Sequence, residues 1–168
     1  MPHNIEIPDY VIERIMAKRG KLEVFDRFEA AKTAFLVIDM QNFYVAEVDT
    51  AISIVPNINR IATACREKGV PVIWVIMTVA DEVGAPSQWR LYHEYFFTDA
   101  KGKNHLTQLS EGHKGHELYP DLDVKDGEQI VHKKRFSPFI IGSSDLHDRL
   151  QEKGIENLIV AGTATNMC

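Results

Sequence analysis

Leu158-Ile-Val-Ala-Gly-Thr-Ala-Thr-Asn-Met-Cys168 runs four apolar residues into a glycine, a short polar turn and a thiol. An unbroken apolar run bounded by glycine suits a strand buried on both faces, as in a parallel sheet. The turn after such a strand leads to a helix N-terminus at the sheet's carboxyl edge, where ligands and nucleophiles are held. Backbone N–H groups there favour a thiolate. Cys168 stands where a nucleophile belongs, although this stretch alone fits a small core residue equally well.

Upstream, the same punctuation recurs. Ala34-Phe-Leu-Val-Ile38 reads as a first buried strand ending on Asp39, and a loop of about 15 residues containing Gln41, Asn42, Phe43 and Tyr44 follows it. Pro56 is expected to open a helix with Ile58, Ile61, Ala62 and Cys65 on its apolar stripe, which makes Cys65 a core residue. That helix ends Glu67-Lys68-Gly69, and Val72-Ile-Trp-Val-Ile76 is a second strand. Gln129-Ile-Val-His132 is a third, running into Lys133-Lys134-Arg135. Ser143 or Ser144 caps a helix through Leu146 and Leu150 that ends Glu152-Lys153-Gly154, before the Leu158 strand. Strand, helix and strand joined this tightly mean βαβ units and a parallel sheet.

Two segments stand outside this repeat. Residues 8–18 read as a helix with Val11, Ile12, Ile15 and Met16 in an apolar stripe, an accessory arm for the domain or a neighbouring subunit. Residues 78–126 are too long for a simple connection, and Trp89, Tyr92, His93, Tyr95, Phe96 and Phe97 crowd into their first half. Such insertions are commonly lids or binding loops, the alternatives here being a subunit contact or a satellite core. Trp89, Tyr92 and Phe96 are expected to form one wall of a substrate pocket, with Phe43 facing them. His113 and His116, lacking a nearby carboxylate or third ligand, read as solvated.

Composition narrows the function classes. A chain of 168 residues supports one domain with a real core. It has no apolar run of transmembrane length, and Met-Pro-His-Asn-Ile-Glu lacks the features of a signal peptide. A net charge of −5 argues against nucleic acid or an anionic membrane as partner. Two cysteines without a framework pattern fit a reducing cytoplasm.

Asp39, Lys133 and Cys168 each follow a predicted parallel strand, so all three converge on the crevice at the sheet's carboxyl edge. A carboxylate can take the thiol proton, and an ammonium stabilises both resulting anions. A free thiol is only a few per cent ionised at neutral pH, so such activation matters.

Leu36-Val-Ile-Asp-Met-Gln41, Lys133-Lys-Arg-Phe-Ser-Pro-Phe139 and Gly162-Thr-Ala-Thr-Asn-Met-Cys168 resemble, in this order, the three signature blocks of the isochorismatase-like cysteine hydrolases. Tyr119-Pro120 and Asp126-Gly127-Glu128 match that family's approach to its lysine block, and the resemblance covers residues 33–168. It implies a Rossmann-like three-layer α/β/α sandwich with a mostly parallel sheet and a catalytic triad of Asp39, Lys133 and Cys168. Lys133 rather than Lys134 fits the pattern of lysine, any residue, arginine, aromatic, serine. It further implies a cis peptide between Thr163 and Ala164 and an oxyanion hole built from the Ala164 and Cys168 amides. Pro138 departs from the small residue usual at its position. The family continues past its cysteine with a helix and further strands. The reading is therefore a helical arm over residues 1–30 and a hydrolase domain over residues 31–168, truncated or incomplete at its C-terminal edge.

Members with the cysteine mostly hydrolyse amide or ureido C–N bonds through a thioester, whereas isochorismate hydrolases cleave a vinyl ether without the thiol. Nicotinamidases carry an Asp-x-His metal site after the first strand, and residues 41–54 contain no histidine. The resemblance thus implies the amidohydrolase branch of N-carbamoylsarcosine amidase and ureidoacrylate amidohydrolase, acting on a small molecule without metal or cofactor, as a cytoplasmic homo-oligomer (dimer or tetramer). The alternatives are a vinyl-ether hydrolase and a non-catalytic ligand-binding member of the fold.

Overall fold

The computed structural model describes residues 6–164 and 167–168. The reading of the first residues as lacking a leader, and the turn residues Thr165 and Asn166, lie outside the described residues. Along the chain come α1 (Asp9–Arg19), β1 (Thr33–Ile38), α2 (Asn42–Val45), α3 (Asp49–Glu67), β2 (Val72–Met77), α4 (Arg90–Tyr95), α5 (Asp99–Gln108), β3 (Gln129–Lys133), α6 (Leu146–Glu152) and β4 (Asn157–Gly162). All strand pairs are parallel, in the order β3-β2-β1-β4.

Alternation along the two central strands builds the layers, because successive side chains leave a strand on opposite faces. Phe35, Val37, Val72 and Trp74 point to one face, where Ala51, Val55, Ile58, Ala62 and Cys65 of α3 cover them. Ala34, Leu36, Ile38, Ile73 and Val75 point to the other, where Leu146 and Leu150 of α6 meet them. Every residue of β1 and β2 is buried, so both strands read as continuous apolar runs. The result is the expected α/β/α sandwich on a parallel sheet.

Three sequence readings are corrected. Pro56 does not open α3 but sits inside it, since the helix starts seven residues earlier at Asp49. Burial of Ala51 and Val55 against the sheet offsets the missing proline N–H, a case of packing overriding a local breaker signal. The arm helix α1 forms as expected, but none of its residues is buried. His116 is not solvated: it is 6 % exposed, and its Nε2 lies 2.7 Å from Thr78 Oγ1, which also reaches His132 Nδ1 at 2.8 Å. His113 is half-buried and accepts a hydrogen bond from the Gly115 N–H at 2.9 Å. Their partners lie far away in sequence or on the backbone, which spacing alone does not reveal.

Two local devices fix the sheet edge that carries the candidate site. Glu128 accepts from Trp74 Nε1 at 2.8 Å and pairs with Arg66 Nε at 2.8 Å, which ties the entry to β3 onto β2 and α3. Gly162 lies at φ +137° with its backbone against β1, and an added Cβ would meet Ile38 O at 2.0 Å. Gly162→Ala is therefore expected to force β4 away from β1 and destabilise the fold by about 3 kcal/mol or more. Thermal denaturation followed by circular dichroism checks it, and an unchanged melting temperature would overturn it.

Candidate active site

β1, β3 and the turn after β4 deliver Asp39, Lys133 and Cys168 to one place. Asp39 follows β1 in a left-handed conformation at φ +57°, held by its N–H to Val75 O at 2.9 Å and by Thr163 Oγ1 donating to its carbonyl at 2.9 Å. A non-glycine residue at positive φ costs about 1 kcal/mol or more and persists where its surroundings enforce it. Gln41, fully buried two residues on, accepts from the Met77 N–H at 2.8 Å. Its Nε2 donates to Met77 O at 3.0 Å and His116 O at 2.8 Å, which locks the first loop to β2 and to the insertion.

Lys133 ends β3 with no exposed side-chain surface. Its ammonium is 3.1 Å from Asp39 Oδ2, 3.6 Å from Cys168 Sγ and 3.3 Å from the Arg135 carbonyl. The contact with Asp39 is an ion pair rather than a well-directed hydrogen bond, and neither carboxylate oxygen has a hydrogen-bond partner among the described residues. An acid, an ammonium and a thiol thus converge as the strand ends require.

The electrostatics differ from the expectation of a preformed thiolate. Burial pushes the Asp39 carboxyl above its ordinary value, with the Lys133 charge and a contact to Cys168 pulling it back. Burial also pushes the Cys168 thiol up to about 12; the nearby Asp39 charge adds to this, and Lys133 only partly opposes it. The N–H groups of Cys168 and Met167 both donate to Ala164 O, at 3.0 and 2.9 Å. Those two amides are thus engaged within the turn, and burial disfavours the charged form of both the Asp39 carboxyl and the Cys168 thiol. Alkylation of Cys168 by iodoacetamide should accordingly rise about tenfold per pH unit between pH 7 and 9, following the thiolate fraction. Peptide mapping at several pH values checks this, and a rate flat across that range would reveal a thiolate already formed.

The peptide between Thr163 and Ala164 is trans, contrary to the cis bond implied by the resemblance. Ala164 lies at φ +54° and, with Gly162, Thr163, Tyr44, Val48 and Ile54, lines a cleft of about 380 Å³. The Cys168 amide, expected in an oxyanion hole with that of Ala164, is occupied by the Ala164 carbonyl.

The structure brings three of the four aromatic candidates together. Trp89 stacks on Tyr92 at 4.3 Å and Tyr92 on Phe96 at 4.9 Å, and these rings line a pocket of about 270 Å³. Phe136, three residues past Lys133, packs edge-on against Trp89 and Tyr92, while the Arg135 guanidinium lies 5.3 Å over Trp89. Phe43 does not face these rings directly. It meets Tyr44 and His105 edge-on at 5.0 and 5.4 Å, and His105 stands between it and Tyr92. Sequence reasoning passed over His105 and Tyr44. The Tyr44 hydroxyl is held protonated, by burial first and then by the Asp39 and Cys168 charges, and Tyr44 lines the same cleft as Gly162, Thr163 and Ala164. Its position next to Phe43 in the loop after β1 was the available signal.

This is a Rossmann-like α/β domain with Asp39, Lys133 and Cys168 gathered at the carboxyl edge of a parallel sheet. Residues 33–168 match the model of the isochorismatase domain, and the chain belongs to that family. A probable inactive nicotinamidase of Arabidopsis thaliana is 36% identical over 143 residues, covering 81% of this chain and 68% of that protein. The ureidoacrylate amidohydrolase RutB of Pseudomonas savastanoi pv. phaseolicola is 28% identical over 181 residues, covering 98% of this chain and 71% of its own length. Among solved structures, a cysteine hydrolase from Pseudomonas syringae pv. phaseolicola superposes with a TM-score of 0.71 at 25% identity, covering 88% of this chain and 67% of the other. Among the described residues no helix is long and apolar enough to cross a membrane.

Proposed function

We propose that the protein is a cysteine-dependent amidohydrolase that cleaves a C–N bond of a small amide, carbamoyl or ureido compound through a thioester. The observation that carries this reading is the buried Asp39–Lys133 pair at 3.1 Å with the Cys168 sulfur 3.6 Å from the same ammonium. Asp39 takes the Cys168 proton as sulfur bonds to the substrate carbonyl carbon. Burial makes Asp39 a stronger base than a surface carboxylate, and Lys133 keeps it ionised before the attack. The oxyanion forms beside Ala164; for the Cys168 amide to bind it, that amide exchanges its present bond to Ala164 O. Protonated Asp39 then passes its proton to the leaving nitrogen as the C–N bond breaks. Water, activated by the regenerated carboxylate, hydrolyses the thioester and restores the thiol. Trp89, Tyr92 and Phe96 form the apolar wall for the rest of the substrate, with Phe43 contributing through His105.

The relative named a ureidoacrylate amidohydrolase supports the C–N class. The relative named as probably inactive keeps a non-catalytic ligand-binding role as the second reading. Ammonia release from a panel of small amides, ureas and carbamoyl amino acids, with intact-mass detection of an acyl adduct on Cys168, tests the proposal. Release from at least one compound together with the adduct is expected. No release and no adduct across the panel would leave the non-catalytic reading standing.

A further inference from the structure

Among the described residues, the non-glycine residues at positive φ are Asp39 at +57° and Ala164 at +54°. Such backbone is sparsely populated and persists where its surroundings enforce it, which makes it a pointer to function. Thr163 links the two. It precedes Ala164 in the chain, and its Oγ1 donates to the Asp39 carbonyl at 2.9 Å. A carbonyl oxygen only accepts, so the hydroxyl is the donor and the direction of this bond is fixed. The Thr163 N–H donates to Ile38 O at 3.1 Å, so one residue grips two successive carbonyls at the end of β1. Thr163 comes this close because Gly162 before it lacks a Cβ, which would meet Ile38 O at 2.0 Å.

What this clamp governs follows from the carboxylate. Asp39 is fully buried, and neither of its side-chain oxygens has a hydrogen-bond partner among the described residues. Lys133 attracts it at 3.1 Å, but an ammonium is a point charge that sets distance better than direction. The aim of the carboxylate therefore rests on the Asp39 backbone. That backbone is tied on one side by its N–H to Val75 O at 2.9 Å, and on the other by the Thr163 hydroxyl. The turn that Thr163 opens ends at Cys168, whose N–H donates to Ala164 O at 3.0 Å. The residue that steadies the base thus also begins the turn that carries the thiol.

We propose that Thr163 is a positioning residue, whose hydroxyl holds Asp39 in the left-handed conformation from which its carboxylate takes the Cys168 proton. The inference rests on the amidohydrolase reading for the reaction that this proton transfer serves. Thr163 itself makes and breaks no bond to substrate. Its effect belongs to the oxygen rather than to the methyl group, so serine should replace it and valine should not.

The test uses the full chain and p-nitrophenyl acetate, an activated ester that acylates a thiol whatever the natural substrate. Sulfur bonds to the acetyl carbon as the thiol proton passes to Asp39, and the ester C–O bond breaks to release nitrophenolate. Thr163→Val keeps the shape and loses the hydroxyl, whereas Thr163→Ser keeps the hydroxyl and loses the methyl. Acetylation of Cys168, read by nitrophenolate release and peptide mapping, should be about 10–10²-fold slower in Thr163→Val at neutral pH, the scale of a misplaced catalytic group. Thr163→Ser should recover most of the rate. The deficit should shrink as pH rises, because hydroxide then removes the proton that a displaced Asp39 no longer reaches; a loosened turn alone would slow the reaction equally at every pH. A crystal structure of Thr163→Val should show Asp39 outside the left-handed region. If the valine variant does not fold, Thr163→Ala compared with Thr163→Ser isolates the hydroxyl in the same way. A valine variant as fast as the wild type, a serine variant as slow as valine, a deficit independent of pH, or an unmoved Asp39 would each overturn the inference. Failure of the amidohydrolase reading has another signature: no amide, urea or carbamoyl compound is cleaved, while Asp39 still shifts in Thr163→Val.

Discussion

Cys168→Ala is expected to abolish turnover completely while substrate still binds, and Asp39→Asn to slow acylation by roughly 10²–10⁴ while the site keeps its shape. The two effects come from different steps. Without sulfur no thioester forms, and the remaining Asp39–Lys133 pair has no nucleophile to activate except water. With asparagine at position 39 the sulfur remains, but its proton has no acceptor. Because the thiol is held near 12, it cannot ionise by itself at neutral pH, and the loss of the base is felt fully in the attack step. Raising the pH should partly restore the Asp39→Asn enzyme, since hydroxide then removes the proton, whereas Cys168→Ala should not respond. Single-turnover kinetics with mass detection of the acyl-enzyme separates the cases. Near-normal turnover by Cys168→Ala would replace the covalent route with direct attack of water.

How much of this was legible in the sequence depends on what each residue packs against. β1 and β2 were legible because they are buried on both faces and read as apolar runs such as Ala34-Phe-Leu-Val-Ile38. The Leu158 run also reads as a strand and forms β4, but it is not buried on both faces as expected, since Leu158 and Val160 are exposed. Asp39, Lys133 and Cys168 were legible because strand ends in a parallel sheet have only one edge at which to meet. The helices of the insertion were not. α5, Asp99–Gln108, carries lysines, an asparagine and a glycine and shows no apolar stripe. It is fixed instead by close approach, since a Cβ on Gly102 would meet His93 O at 2.6 Å. The state of the thiol was also hidden. A cation nearby suggests ionisation, yet burial and the Asp39 charge outweigh Lys133, and that balance requires three-dimensional distances. The buried histidines failed for a similar reason: His105 and His116 take their partners from segments that spacing does not connect.

Lys133→Met should be the most destabilising of the triad substitutions, by about 3–5 kcal/mol at neutral pH, because it leaves the Asp39 carboxylate buried without its countercharge. Both partners of the pair have no exposed side-chain surface, so solvent offers no substitute. The loss carries a definite pH signature. Asp39 already titrates above its ordinary value of 3.8, and removing the ammonium raises it further. A raised carboxyl pKa means the folded state holds the proton more tightly than the unfolded chain, so stability falls as pH rises from the unfolded value towards the folded one. Below the unfolded value both states are protonated, and the deficit from the lost pair should nearly vanish. The double variant Asp39→Asn, Lys133→Met removes both charges and should recover most of the stability at neutral pH, since a neutral pair of similar volume carries no uncompensated ion. It should remain without turnover, because base and cation are both gone. Denaturant titrations of the wild type, the single and the double variants at acid and neutral pH decide the point. A Lys133→Met protein as stable as the wild type at neutral pH, or a double variant no better than the single, would show that the pair's charges do not govern the stability of this edge of the sheet.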